Sequence, residues 1–205
     1  MKTLVILTLT LGAILRLHSQ GYLLPNGVTS AGYSPLLGGY EIRVLQNPTN
    51  SDFTGFSLNP VGITHPGSST NTFSLNFYLD EGVRVFQVSE NAPIALQPIL
   101  SQSYLELGGG TYVFEDSSPF YVGLYTSDQF PQNGVYPNPM FGWAQLVNNG
   151  GAIQLLDGQL AYGAGGIYAG TTTLIPIPEP TVLSWFGLGL LGLALNRRCQ
   201  RTSIS

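Results

Sequence analysis

Residues 72–79 read Thr-Phe-Ser-Leu-Asn-Phe-Tyr-Leu, and this stretch decides the fold class. Large apolar side chains occupy every second position and polar ones most of the positions between them. A period of two places alternate side chains on opposite faces of a β-strand, so one face is predicted to be buried. The residues predicted to point inward are Phe73, Leu75, Phe77 and Leu79.

The residues after this strand predict a change of direction. Asp80-Glu81-Gly82 has the composition of a turn, and Gly82–Ser89 is a second run rich in β-branched and apolar residues. We therefore expect the two runs to pair as a β-hairpin.

The same β character extends over residues 20–175. Clusters of Gly, Asn, Pro and Ser, which are typical of turns, separate the candidate strands, and no amphipathic helix occurs between them. The pattern predicts an all-β domain, either an antiparallel β-sandwich or a jelly roll, with helices expected only in the signal and the tail. The further strands predicted are Tyr40–Gln46, Phe53–Leu58, Pro93–Ile99, Thr111–Glu115, Phe120–Thr126, Phe141–Asn148, Ala152–Leu156, Gln159–Tyr162 and Gly166–Thr172.

The charge of residues 20–175 excludes one class of partner. This range contains ten acidic residues, only Arg43 and Arg84 as basic residues, and no lysine, which gives a net charge of −8. Nucleic-acid binding depends on clustered Lys and Arg, so it is excluded. The range also lacks cysteine, so packing and hydrogen bonds must stabilise the domain without disulfides.

Few residues of this range favour catalysis. His65 is its only histidine, and it lies in a predicted loop. The adjacent acidic pairs Asp80/Glu81 and Glu115/Asp116 would point to opposite sides of the chain and form no facing dyad by themselves. No acidic spacing typical of a calcium loop occurs. We therefore expect no catalytic residue, no metal site and no cofactor.

Aromatic residues are the remaining candidates for binding. Tyr121, Tyr125 and Tyr136 lie in or near the predicted loop at residues 127–139, where they are expected to form an exposed surface on which sugars stack. Trp143 is a further candidate for this surface, although a place in the core is the stronger expectation for it.

The N-terminus has the pattern of a secretory signal. Met1-Lys2 supplies a positive charge, Leu4–Leu15 is an apolar run of the usual length, and Ser19 is a small residue before a cleavage point at Gln20. We assign residues 1–19 to a signal peptide, with an uncleaved membrane helix as the alternative.

The C-terminus combines three features. Pro176, Pro178 and Pro180 restrict the backbone to extended conformations and lack backbone N–H donors. The segment is therefore expected to join neither the preceding sheet nor the following helix. The uncharged run Thr181–Leu195 follows; as a helix it would be about 22 Å long. That length is marginal for a hydrocarbon core of ~30 Å. Three arginines come next and would stay on the cytoplasmic side: Arg197, Arg198 and Arg201.

This order of features resembles the PEP-CTERM sorting domain of bacterial exported proteins. Pro178, Glu179 and Pro180 match the triplet of that family, Thr181–Leu195 matches its hydrophobic helix, and Arg197 and Arg198 match its basic cluster. The resemblance implies recognition by an exosortase, a membrane-embedded cysteine peptidase. It also implies an inner-membrane precursor, delivery to the cell surface or the extracellular space, and an association with exopolysaccharide.

The sequence thus predicts three parts: a signal peptide at 1–19, an all-β exported domain at 20–175 and a sorting segment at 176–205. The expected function is that of a non-enzymatic surface or matrix protein, with the exosortase, the secretion machinery and exopolysaccharide as partners. The alternatives are a secreted carbohydrate-active or carbohydrate-binding jelly-roll protein, and a structural matrix protein without a ligand.

Overall fold

The computed structural model describes residues 21–36, 38–47, 52–63, 72–127 and 138–177. This part of the chain is all-β, as predicted, and its strands pair in antiparallel sheets. Its elements are β1 (Tyr22–Leu24), β2 (Val28–Ser34), β3 (Gly39–Asn47), β4 (Asp52–Ile63), β5 (Thr72–Leu79), β6 (Val83–Val88), β7 (Pro93–Ala95), α1 (Leu96–Leu100), β8 (Leu105–Glu106), β9 (Thr111–Glu115), β10 (Phe120–Ser127), β11 (Pro139–Asn149), β12 (Ala152–Tyr162), β13 (Gly166–Tyr168) and β14 (Leu174–Ile175).

The strands form three sheets. A five-stranded sheet has the order β2-β3-β4-β5-β9, a six-stranded sheet has the order β1-β12-β11-β10-β6-β8, and a small sheet has the order β14-β13-β7. Strands β2 to β5 follow one another across the first sheet, and β10 to β12 do so across the second. Each set is a meander, so the connectivity differs from the two Greek keys of a jelly roll.

The five-stranded and six-stranded sheets bury one core between them. Phe73, Leu75 and Phe77 of β5 are almost completely buried, as predicted, and belong to the same cluster as Val122 and Leu124 of β10. Leu79 is partly buried against this cluster. Aromatic rings fill much of the space between the two sheets. For example, the Phe77 ring stacks on Phe56 and makes an edge-to-face contact with Tyr112.

The predicted hairpin between β5 and β6 is wrong. Strand β5 pairs with β4 and β9, whereas β6 pairs with β10 and β8 in the other sheet. The turn at residues 80–82 therefore crosses from one sheet to the other. Val83 and Val85 of β6 point into the same core as the apolar face of β5, whereas Phe86 and Val88 of β6 pack on the other face of the six-stranded sheet. The alternation in β5 therefore identifies its buried face but not the strand that pairs beside it.

A second apolar cluster covers the other face of the six-stranded sheet. Phe86, Tyr125, Phe141 and Trp143 of this sheet pack beneath β7, α1 and β13, which contribute Ile94, Ile99 and Ile167. Gly123 makes room for this layer, because a Cβ there would approach the Ile94 side chain and come within 3.0 Å of Val88 Cγ1. The central strands of the six-stranded sheet are consequently buried on both faces.

Other predicted boundaries differ from the structure. The run Pro93–Ile99 is a three-residue strand followed by α1, since Pro98 cannot donate to a ladder but is tolerated in the first turn of a helix. Asp157-Gly158 is no turn: β12 continues through it opposite a bulge at Gln145/Leu146. The last predicted strand ends at Tyr168, and four strands were not predicted, namely β1, β2, β8 and β14.

The packing of Phe77 leads to a first prediction. Replacing Phe77 by Ala should lower the free energy of unfolding by about 3–5 kcal/mol, because it opens a cavity in the core that the two sheets share. Tyr78→Ala, on the neighbouring and exposed side chain, is the control and should change the free energy of unfolding by about 0.5 kcal/mol or less. Urea unfolding followed by circular dichroism measures both. Equal losses for the two variants would contradict the assignment of β5's inward face.

An ion pair holds the edge of the six-stranded sheet. Arg84 Nε and Nη2 donate to the two carboxylate oxygens of Glu106 over 2.7 Å each, which connects β6 to the two-residue strand β8. The guanidinium carbon also lies 5.1 Å from the centre of the Phe86 ring. The hydrogen bonds from Arg84 lower the pKa of Glu106 below its ordinary value of 4.5.

This ion pair predicts a pH-dependent stability. A carboxyl with a lowered pKa in the folded state stabilises the fold above about pH 4.5, and the effect is lost as the pH falls through that lowered pKa. Glu106→Gln should therefore cost up to about 1 kcal/mol at pH 7, since Glu106 is 44% exposed, and nothing at strongly acidic pH. Urea titrations at both pH values test this, with Glu115→Gln on β9 as the control. A pH-independent cost for Glu106→Gln would contradict it.

Candidate functional site

A groove with a volume of about 1090 Å³ lies at one end of the covering layer, beside the six-stranded sheet. Four stretches of chain line it: α1 with the end of β7, the start of β11, the connection between β12 and β13, and the segment that includes the end of β14. The last of these ends at Ile177, the final residue that the structure describes.

Helix α1 forms one wall of the groove and presents an apolar face to it. Leu96 and Leu100, one helical turn apart, line the groove and are 41% and 67% exposed. Ile99, on another side of the helix, is buried in the second apolar cluster and fixes the helix to the sheet. The Tyr104 hydroxyl donates to the Pro93 carbonyl over 2.6 Å, and burial raises the pKa of this hydroxyl.

The opposite wall comes from β13, β14 and the residues around them. The Gly165 N–H donates to the Ile175 carbonyl over 2.8 Å, which holds the two segments side by side. Gly165 packs so closely on the Pro176 carbonyl that a side chain there would clash with it. Tyr168 and Ile177 add partly exposed apolar surface, at 37% and 42%.

The groove is uncharged. None of the described residues that line it is acidic or basic; its polar members are amides, one serine and two tyrosines. The groove therefore offers neither a carboxylate pair nor a cation for chemistry, and its surface suits an apolar or amphipathic partner. Within the described residues, no group of three or more His, Cys, Asp or Glu side chains is positioned to hold a metal ion.

Two of the predicted sugar-stacking residues lie inside the protein. Trp143 is 2% exposed and its indole N–H donates to the Thr171 carbonyl over 2.8 Å, while Tyr125 is 4% exposed and stacks on Phe141. Trp143 therefore lies in the core, which was the stronger expectation for it, whereas Tyr125 does not form the exposed surface that we expected. The reason is the covering layer, which packs on the sheet face that carries them.

Tyr121 lies on the same face of the sheet, on the central strand β10, and is partly buried. Its hydroxyl accepts a hydrogen bond from Gln145 Nε2 over 2.9 Å, and its ring meets the edge of Trp143. Burial raises the pKa of Tyr121, and the negative charges of Glu90 and Asp157 add to this increase. Both the hydroxyl and the ring of Tyr121 thus contact other residues of the domain.

The remaining predicted site residues lie outside the described residues. They are Tyr136, the triplet Pro178, Glu179 and Pro180, and the basic cluster Arg197, Arg198 and Arg201. The described range contains no helix with the length and apolar character required to cross a bilayer.

The outward face of the five-stranded sheet is a second candidate surface. Asn59, Asn76 and Thr111 lie side by side on β4, β5 and β9, and the Thr111 hydroxyl donates to the Asn76 side-chain oxygen over 2.6 Å. Tyr78 lies two residues along β5 on the same face and is 53% exposed. A row of amide and hydroxyl groups beside an exposed ring is suited to hydrogen bonding and stacking with a neutral sugar. We missed this surface because its side chains are the polar half of an ordinary alternating strand.

Comparisons of the chain with known protein families, with curated proteins and with solved structures give no match.

Proposed function

We propose that the chain is an exported, non-enzymatic surface protein that is delivered through its C-terminal segment and then associates with neutral polysaccharide. The observation that carries the first part is the order of a proline-glutamate-proline triplet, the uncharged run Thr181–Leu195 and a basic cluster. Positive charges after a short apolar segment orient the rest of the chain outward. An exosortase and the secretion machinery are the partners that this order favours.

The described fold is compatible with processing at the triplet. The last strand, β14, ends at Ile175, and Pro178 follows only three residues later. Because Pro176 lacks a backbone donor, it cannot extend the pairing of β14. A β-sandwich domain with a covering layer would therefore retain its sheets after cleavage beyond Pro178.

The proposal predicts a specific mature mass. In the native host, protein released from the cell surface should have lost the residues from about position 181 to 205. Pro180→Ala should cause the uncleaved precursor to accumulate, whereas Pro176→Ala, a proline outside the triplet, should leave processing intact. Arg197→Ser with Arg198→Ser should leave precursor misplaced, because the orienting charge is reduced. Intact-mass measurement decides each case.

A mature mass that still includes residues 181–205 would contradict processing. The segment would then be a plain membrane anchor, and the resemblance to sorting domains would not extend to cleavage.

The proposed role at the surface is binding of neutral polysaccharide. A domain with a charge of −8 and no lysine repels acidic polymers unless divalent cations bridge the two. Neutral glycans meet no such barrier. The outward face of the five-stranded sheet offers them the Tyr78 ring and the Asn59, Asn76 and Thr111 row, and repeated weak contacts along a polymer multiply the affinity.

This role predicts retention on insoluble neutral glycans such as cellulose or chitin. Tyr78→Ala should weaken retention about two- to tenfold, the effect expected for one lost stacking contact. Tyr33→Ala is the matched control, because Tyr33 is 56% exposed but belongs to β2 at the edge of the sheet. Pull-down at several glycan concentrations gives the apparent affinities.

Equal losses for Tyr78→Ala and Tyr33→Ala would contradict this location for the binding surface. No retention of the wild-type chain on any neutral glycan, with or without calcium, would favour a structural matrix protein without a ligand.

A further inference from the structure

Both ends of the described domain lie at the groove. Ile177, the last described residue, lines the groove, and the apolar run Thr181–Leu195 begins four residues later. Gly21, the first described residue, packs directly on Ala164, which also lines the groove. The N-terminal apolar run Leu4–Leu15 ends six residues before Gly21. The two segments of the sequence that are suited to lipid thus leave the domain at the same place.

The short tethers set a distance. Four fully extended residues span at most about 14 Å, so the groove must lie within this distance of the point where residue 181 enters an apolar phase. The headgroup region of one leaflet is roughly 5–8 Å thick. If Thr181–Leu195 is inserted in a bilayer, the surface of that bilayer therefore lies next to the groove. The remaining gap between the groove and the headgroups is too small for another folded domain.

The chemistry of the groove matches that position. Leu96, Leu100 and Ile177 expose apolar surface, and Tyr168 combines a ring with a hydroxyl, a type of side chain enriched at membrane interfaces. No described residue lining the groove is charged, although the domain as a whole is strongly acidic. An uncharged apolar patch on an acidic domain is the part that can approach lipid without electrostatic cost.

We propose that the groove is a lipid-facing surface: in the membrane-bound precursor, Leu96 and Leu100 of α1, with Tyr168 and Ile177 opposite, enter the headgroup region of the bilayer. This docking rests on the proposed membrane insertion of residues 181–195. It orients the domain with the groove toward the membrane, so that the triplet at residues 178–180 is held at the membrane surface. The outward face of the five-stranded sheet is left to bind other partners.

Fluorescent labelling of the full-length chain tests the proposal. In a Cys199→Ser background, Leu100→Cys or Val113→Cys carries one environment-sensitive fluorophore. Val113 is the matched control, because it is 54% exposed and belongs to β9 of the five-stranded sheet, away from the groove. The chain is incorporated into phosphatidylcholine vesicles with or without nitroxide-labelled lipid. The probe at position 100 should shift to shorter wavelengths on incorporation and be quenched at least twofold by the nitroxide, and the probe at 113 should show neither change.

Three outcomes overturn the proposal, and they are distinguishable. If the chain fails to float with vesicles, membrane insertion of residues 181–195 fails and the lipid-facing groove fails with it. If the chain floats but the probe at 100 behaves like the probe at 113, only the groove proposal fails. If the probe at 100 is already shielded without vesicles, part of the chain itself or a second copy occupies the groove.

A charge variant gives an independent readout. Leu96→Asp with Leu100→Asp should leave vesicle flotation intact, because the apolar tail still inserts, but should make the exposed groove residue Tyr168 accessible to hydroxyl-radical footprinting in the vesicle-bound chain. Leu36→Asp with Val113→Asp adds the same charge away from the groove and should leave the protection in place. Equal protection in both variants would contradict the proposal.

Discussion

The burial of the central strands of the six-stranded sheet on both faces is the constraint on which the rest of the structure depends. Most residues of strands β10 and β11 are buried, so their buried polar atoms need partners inside the protein. The Thr126 hydroxyl donates to the Gly82 carbonyl and the Trp143 indole to the Thr171 carbonyl. These bonds connect the central sheet to the turn that crosses between sheets and to the covering layer, so all three layers depend on one another.

The same constraint explains which features were predictable from sequence. Thr72–Leu79 lies in a sheet with one face open to water, so its alternation correctly identified Phe73, Leu75 and Phe77 as core residues. In β10, the alternation of Tyr121, Gly123 and Tyr125 with apolar residues resembles a half-exposed strand, but a second layer covers the side that carries the tyrosines. Local pattern cannot reveal a layer built from residues 93–100 and 164–169, because long-range packing places it there.

The groove was beyond local prediction for a related reason. Its walls come from four stretches of chain that are separated by up to about forty residues, and none has a motif of its own. The sequence did show apolar runs near both termini and prolines after β14. Only the fold shows that the first and last described residues, Gly21 and Ile177, both come to the groove, since the pairing of β1 with β12 brings Gly21 beside Gly163 and Ala164.

The edges of the sheets have a consequence for how copies of this domain behave at high concentration. Within the described residues, the six-stranded sheet ends in strands of three and two residues, and the outer strand β2 is bulged between Ser30 and Gly32. Short or bulged edges offer few consecutive unpaired backbone groups to another strand. At these three edges, neighbouring copies of the chain at high local concentration are less able to pair strand to strand into amyloid-like aggregates.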